Sequence, residues 1–157
     1  MPDHLLEFRL LLPASRERVF EFFATPENLT AITPGWLGFT LLTPGPITVT
    51  AGTVLDCRIR WLGLPLRWRS LIREYDPPSR FVDVQVIGPY ARWEHRHMFL
   101  RAEGGTVVED RVTYRLPLGP AGQLAHRLCV RRQLESICAY RQDRLRSLLA
   151  RPPGGSS

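Results

Sequence analysis

From residue 53 to residue 116 apolar and polar side chains alternate in five runs, each closed by turn residues, and after Pro117 the alternation gives way to a helical period. That switch of period constrains the fold more than any other feature, because side chains alternate across a strand but recur every 3.6 residues on a helix. In the first run Leu55, Cys57, Ile59 and Trp61 share one face, and Asp56, Arg58 and Arg60 share the other. Gly63-Leu64-Pro65 makes a turn, after which Leu66, Trp68, Ser70 and Ile72 alternate with Arg67, Arg69 and Arg73. Asp76-Pro77-Pro78-Ser79 and Gly88-Pro89 bound a third run, and residues 92–101 and 107–116 form a hairpin around Glu103-Gly104-Gly105. One-sided alternation with closely spaced turns implies antiparallel strands rather than βαβ units.

The flanks complete the order of elements. Residues 4–12 form a first strand, and Ser15 is placed to cap a short helix over residues 16–23. A second short helix follows over residues 25–32, with Thr25 as its cap and Pro26 at its first position. At the other end residues 121–150 are predicted to form one long helix whose stripe is Leu124, Leu128, Leu134, Cys138, Leu145 and Leu148. Leu128 and Leu145 are expected to meet the sheet. Residues 1–150 make one α+β domain, a curved antiparallel sheet of six to seven strands with the long helix across its concave face, and residues 151–157 a disordered tail. Space is left over between a curved sheet and a straight helix.

The chain has a formal net charge of +6, and all 21 basic residues are arginine. They are dispersed and interleaved with acids, unlike the clustered footprint of a nucleic-acid-binding protein, so no nucleic-acid partner is expected. Outward arginines Arg58, Arg60, Arg67, Arg69, Arg96, Arg111 and Arg115, with Glu94 and Glu109, read as cross-strand charge pairs. Cys57, Cys129 and Cys138 have no CxxC spacing and read as reduced thiols. With neither a membrane-spanning run nor a signal-like start, the chain is expected to be cytoplasmic.

The stretch Phe81-x-Asp83-x-Gln85-x-x-Gly88-Pro89-Tyr90-x-x-Trp93-x-His95-x-His97-x-Phe99 carries a further signal, continued by Gly105-Thr106, Asp110, Tyr114, Pro117-Leu118-Gly119 and Tyr140-Arg141. In these residues the chain resembles the START-like (SRPBCC) superfamily and its bacterial polyketide cyclase/dehydrase branch. The resemblance implies a helix-grip fold and a hydrophobic small molecule in an internal cavity, sometimes with catalysis. It implies no cofactor and no metal.

Parity gives that pattern physical content. Trp93, His95, His97 and Phe99 share one face of their strand, Asp83 and Gln85 share the face of Phe81, and Asp110 that of Tyr114. The concave face therefore carries Asp83, Gln85, His95, His97, Asp110 and Tyr114 among its hydrophobes, and His95, His97, Asp83 and Asp110 should be better buried than Glu94, Arg96 and Arg111. Such groups either satisfy one another, recognise a ligand or, for His95-x-His97 with a carboxylate, have a geometry suited to a metal. Arg141 lies beside the helix stripe and must find an acid, Asp83 or Asp110, or point into the cavity. Trp61, Trp68, Trp93 and Phe99 join the expected ligand contacts, and Trp36 is a further candidate. Were the protein an enzyme, His95 or His97 would act as acid or base with Asp83 or Asp110 as orienter, and Tyr114 and Arg141 would bind oxygens. The apolar tip around residues 61–66 suggests a third role, as a lid or a contact with a membrane.

Overall fold

The computed structural model describes residues 3–150, apart from Leu62 and the side chain of Trp61. Strand β1 (His4–Leu12) leads into helix α1 (Arg16–Phe23), two 3₁₀ turns (Pro26–Ile32 and Gly35–Leu37) and the short β2 (Thr40–Leu41). Then come β3 (Val54–Trp61), β4 (Leu64–Asp76), β5 (Arg80–Ile87), β6 (Arg92–Ala102) and β7 (Gly105–Arg115). The seven strands form one antiparallel sheet in the order β1-β7-β6-β5-β4-β3-β2. Register shifts at Arg69/Ser70 and Ile72/Glu74 break the β4–β5 ladder, and such bulges bend and twist a sheet. The expected tail lies outside the described residues.

Ser15 caps α1 as expected, its hydroxyl accepting from the Arg18 amide at 3.3 Å. Thr25 does not cap the following turn; its hydroxyl turns back to donate to the Glu21 carbonyl at 2.7 Å. On the convex face the arginines pair across strands: Arg67 and Arg69 with Asp56, Arg9 with Glu109, Arg111 with Glu7. Glu94 is better covered than its outward parity implies, as well covered as Asp110, because Arg73, Arg92 and Arg96 converge on it.

The C-terminal helix is continuous but not uniformly α. Helix α2 (Gly119–Ala125) passes through a π turn (His126–Val130) into α3 (Arg131–Leu149). The buried residues of its first half, Gly122, His126, Val130 and Leu134, recur every four positions. That spacing would drift around an ordinary α-helix, and the wider π turn absorbs the drift. Leu128 therefore does not meet the sheet; it is 67% exposed and Leu124 58%, whereas Leu145 packs in the core. Trp36 is likewise exposed, and Leu64, at the described part of the apolar hairpin tip, projects into solvent.

Gly122 is the point of closest approach between this helix and the chain entering it. A Cβ there would stand 2.1 Å from the Pro117 carbonyl oxygen and 3.3 Å from Leu116 Cβ. Alanine favours a helix over glycine by about 1 kcal/mol, but displacing backbone from a packed site costs about 1–3 kcal/mol. Gly122→Ala is expected to lower the melting temperature by a few degrees, read by circular dichroism; a rise would mean that the helix is free to lift.

Two apolar clusters hold helix and sheet together. One joins Leu10, Leu12, Phe20, Phe81, Phe99, Leu145 and Leu149. The other joins Leu6, Tyr90, Val112, Tyr114, Val130 and Leu134. The interior is not completely filled, and the remaining space is the candidate site.

Candidate functional site

A cavity of about 230 Å³ lies under α3. Leu55, Cys57 and Ile59 from β3 and Trp68, Ser70 and Ile72 from β4 form one wall, as their parity requires. Phe22, Phe23, Leu29 and Ile32 close a second, and Leu134, Ile137 and Cys138 the roof. The aromatic end is built from Trp68, Tyr90 and Trp93, with Trp68 edge-on to Trp93 at 5.2 Å. Burial pushes the thiols of Cys57 and Cys138 up to about 12 and about 11, which leaves them unreactive near neutral pH.

Against these apolar surfaces stands one polar patch. Strand register sets Asp83 opposite His95 and His97 opposite Asp110, and both imidazoles are buried. His97 Nδ1 lies 2.9 Å from Asp110 Oδ1 and its Nε2 3.0 Å from Asp83 Oδ2. An ionised carboxylate only accepts, so both ring nitrogens must donate and His97 is an imidazolium. Burial opposes that charge, but the two hydrogen-bonded carboxylates outweigh it and push the pKa up to about 9. Burial likewise opposes ionisation of Asp110 and Asp83; the imidazoles overcome it and hold both carboxyls below the usual range.

His95 lies face to face with His97 at 3.7 Å, and Phe81 covers the other face of His97 at 4.3 Å. Burial first, and then the neighbouring charge of His97, push the pKa of His95 down, so the ring is neutral. Its Nε2 is 3.4 Å from Asp110 Oδ1 and makes no hydrogen bond. Arg141 lines the cavity with its Nε buried and unpartnered. Among the described residues it makes no ion pair, so the expected pair with Asp83 or Asp110 does not form. Its charge reaches Asp83 only through space. Of the two placements open to Arg141, the structure has the one in the cavity wall.

The structure thus brings Asp83, His95, His97, Arg141, Trp68 and Trp93 to one cavity. Four expected contacts are elsewhere. Gln85 clasps the Tyr90 backbone, donating to its carbonyl at 2.8 Å and accepting from its amide at 3.1 Å, which aims the Tyr90 ring instead of touching a ligand. Phe99 is sealed in the core against Phe20, Phe23 and Phe81. Tyr114 is fully buried, with its hydroxyl 2.6 Å from His126 Nε2. Asp110 sits behind the wall, on a smaller void of about 20 Å³. The side chain of Trp61 lies outside the described residues. Asn28, Thr33 and Gln133, which add polar atoms to the lining, were not among the expected residues. They lie on 3₁₀ and helical segments or, for Thr33, at the end of one, and alternation does not reveal their facing. His126 was also missed, although its four-residue spacing to Val130 and Leu134 marks it.

An antiparallel sheet gripping a long helix over an apolar cavity defines a helix-grip protein of the ligand-binding kind. The family model described as polyketide cyclase/dehydrase and lipid transport matches residues 12–138, and the chain belongs to that family. Among solved structures it is similar to the ZhuI aromatase/cyclase of Streptomyces sp. R1128, with 13% identity and a TM-score of 0.78 over 99% of this chain and 100% of that one. The two-domain aromatase/cyclase StfQ of the steffimycin pathway matches with 15% identity and a TM-score of 0.72, covering 94% of this chain and 50% of that one. A protein of Chromobacterium violaceum matches with 14% identity and a TM-score of 0.70 over 96% and 100%. At such identities the likeness shows the fold alone. No curated protein matches the sequence significantly. Among the described residues no helix is long and apolar enough to cross a membrane.

Proposed function

We propose that this protein shelters a flat hydrophobic molecule bearing an acidic or carbonyl oxygen, with the rings between Trp68, Tyr90 and Trp93 and the oxygen on Arg141. The observation that carries the reading is Arg141 itself. An arginine in an apolar wall keeps its charge and needs an acceptor, and no protein acid within ion-pairing distance supplies one among the described residues. A ligand oxygen would complete it, while apolar and aromatic surfaces supply the affinity. In titrations with the anionic aromatic dye anilinonaphthalene sulfonate, Arg141→Met should weaken binding about 10- to 150-fold, the equivalent of a charge-assisted hydrogen bond. The ligand-free melting temperature should stay nearly constant. Unchanged affinity, or a large fall in stability, would contradict an anchoring role.

A reaction on the sheltered molecule, of the cyclase or dehydratase kind, is the second reading. What favours it is a cationic Arg141 in the same wall as the neutral His95, an electrophile near a proton acceptor. His97 cannot serve as the base, since both its nitrogens are committed, and Tyr114 does not reach the cavity. A poly-β-ketone mimic should then cyclise faster with the wild type than with His95→Gln; equal rates would remove this reading. Among the described residues, nothing at the apolar hairpin tip beyond the exposure of Leu64 supports a membrane role.

A further inference from the structure

Asp83, His95 and His97 all line the cavity, and one potential ligand atom from each lies within 4.8 Å of the other two. His95 Nε2, 3.4 Å from Asp110 Oδ1, is buried without a hydrogen bond, in a residue only 8% exposed and set amid charged groups. We propose that these three residues form a site for a divalent transition-metal ion of the zinc class, open on its fourth side to the cavity. The donor set, two imidazoles and one carboxylate, is the set such ions take when they keep a position free.

The geometry needs little adjustment. Tetrahedral ligands at about 2.0–2.1 Å from an ion stand about 3.3 Å apart. His97 Nε2 and Asp83 Oδ2 are 3.0 Å apart and would open by a few tenths of an ångström as the ion replaces the proton between them. The His95 donor would approach by about 1.5 Å at most, a side-chain rotation. Asp110, at 2.9 Å from His97 Nδ1, already occupies the place of the outer carboxylate that fixes the tautomer of a ligating histidine. The charges also balance in a useful way. Two carboxylates neutralise a doubly charged ion, and the charge left over is that of Arg141. The loaded site would therefore attract an anionic oxygen, the group assigned to Arg141 above; the inference rests on that reading for this clause alone. A His95 that holds an ion takes no proton, so metal binding and proton transfer by His95 are alternatives.

The test is a titration of the untagged, chelator-treated protein with Co²⁺, followed by visible absorption and calorimetry. One equivalent per chain should bind, with the strong absorption of a low-coordinate site. His95→Ala, His95→Gln and Asp83→Ala should each abolish that absorption while melting cooperatively. Asp110→Asn should weaken binding about 10- to 100-fold, and His4→Ala and His126→Ala should leave it unchanged. Absence of saturable binding, binding that survives both His95 variants, or binding lost with His4 or His126 would overturn the proposal. Dye binding measured in excess chelator reports on the ligand cavity separately, so failure of one reading is distinguishable from failure of the other.

Discussion

Replacing Asp110 by alanine is expected to destabilise the metal-free protein by about 3–5 kcal/mol at neutral pH, because it breaks a buried ion pair from one side only. The His97 imidazolium would keep Asp83 but lose the acceptor on Nδ1, in a residue only 6% exposed. For a chain of this length the loss corresponds to a fall of about 6–20 °C in melting temperature. Asp110→Asn should cost less, since its amide oxygen still accepts from Nδ1 while the charge is gone. Urea denaturation of the three proteins at one pH measures the ranking. If alanine and asparagine were equal and both within about 0.5 kcal/mol of wild type, a surface-like effect, the carboxylate would not be holding a buried charge.

In the metal-free protein the same cluster gives the stability a pH optimum. His97 has a folded pKa of about 9, above the ordinary value of about 6.5 for an unfolded chain. Its contribution is fully present below about pH 6.5 and is lost as the pH rises through about 9, a loss on the order of 3 kcal/mol. His95 runs the other way. Its folded pKa is depressed by burial, so protons bind the unfolded chain preferentially as the pH falls below about 6.5, and stability falls with them. Asp83 and Asp110, also depressed, add to the acid-side loss below their ordinary range. Stability should therefore peak near pH 6.5, with the melting temperature about 6–12 °C lower at pH 9.5. Asp110→Ala should flatten the alkaline limb. A wild-type melting temperature that is constant between pH 6.5 and 9.5 would mean that His97 is neutral in the folded protein.

His95 and His97 are legible as inward residues from the large rings of Trp93 and Phe99 on the same face, because strands with one buried face leave no freedom of register. The same parity brings Asp83 to the cavity. Parity misplaces Gln85, where the pairing of β5 with β6 has ended and the side chain turns to the Tyr90 backbone. It could not separate Phe99 and Tyr114, which face inward but are sealed by packing, from Trp68 and Trp93, which face the same way and line the space. Facing is a local property of the strand, whereas a cavity is a property of what α1 and the helix roof leave unfilled. The helix stripe went astray at Leu124 and Leu128 because an α period was imposed on a segment containing a π turn, and one extra residue in a turn rotates every leucine before it. Arg141 survived that error, since it lies in α3, beyond the π turn.

The central claim, that a flat molecule with an anionic oxygen occupies the space beneath α3, is tested most directly by filling that space. Cys57 faces the cavity from the middle of β3, so Cys57→Trp would place an indole where the ligand is proposed to lie. Fluorescence titration with anilinonaphthalene sulfonate should show one site per chain in the wild type, with quenching of Trp68 and Trp93, and no saturable binding in a folded Cys57→Trp variant. Saturable binding of equal affinity in both would place the dye outside the cavity and contradict the account.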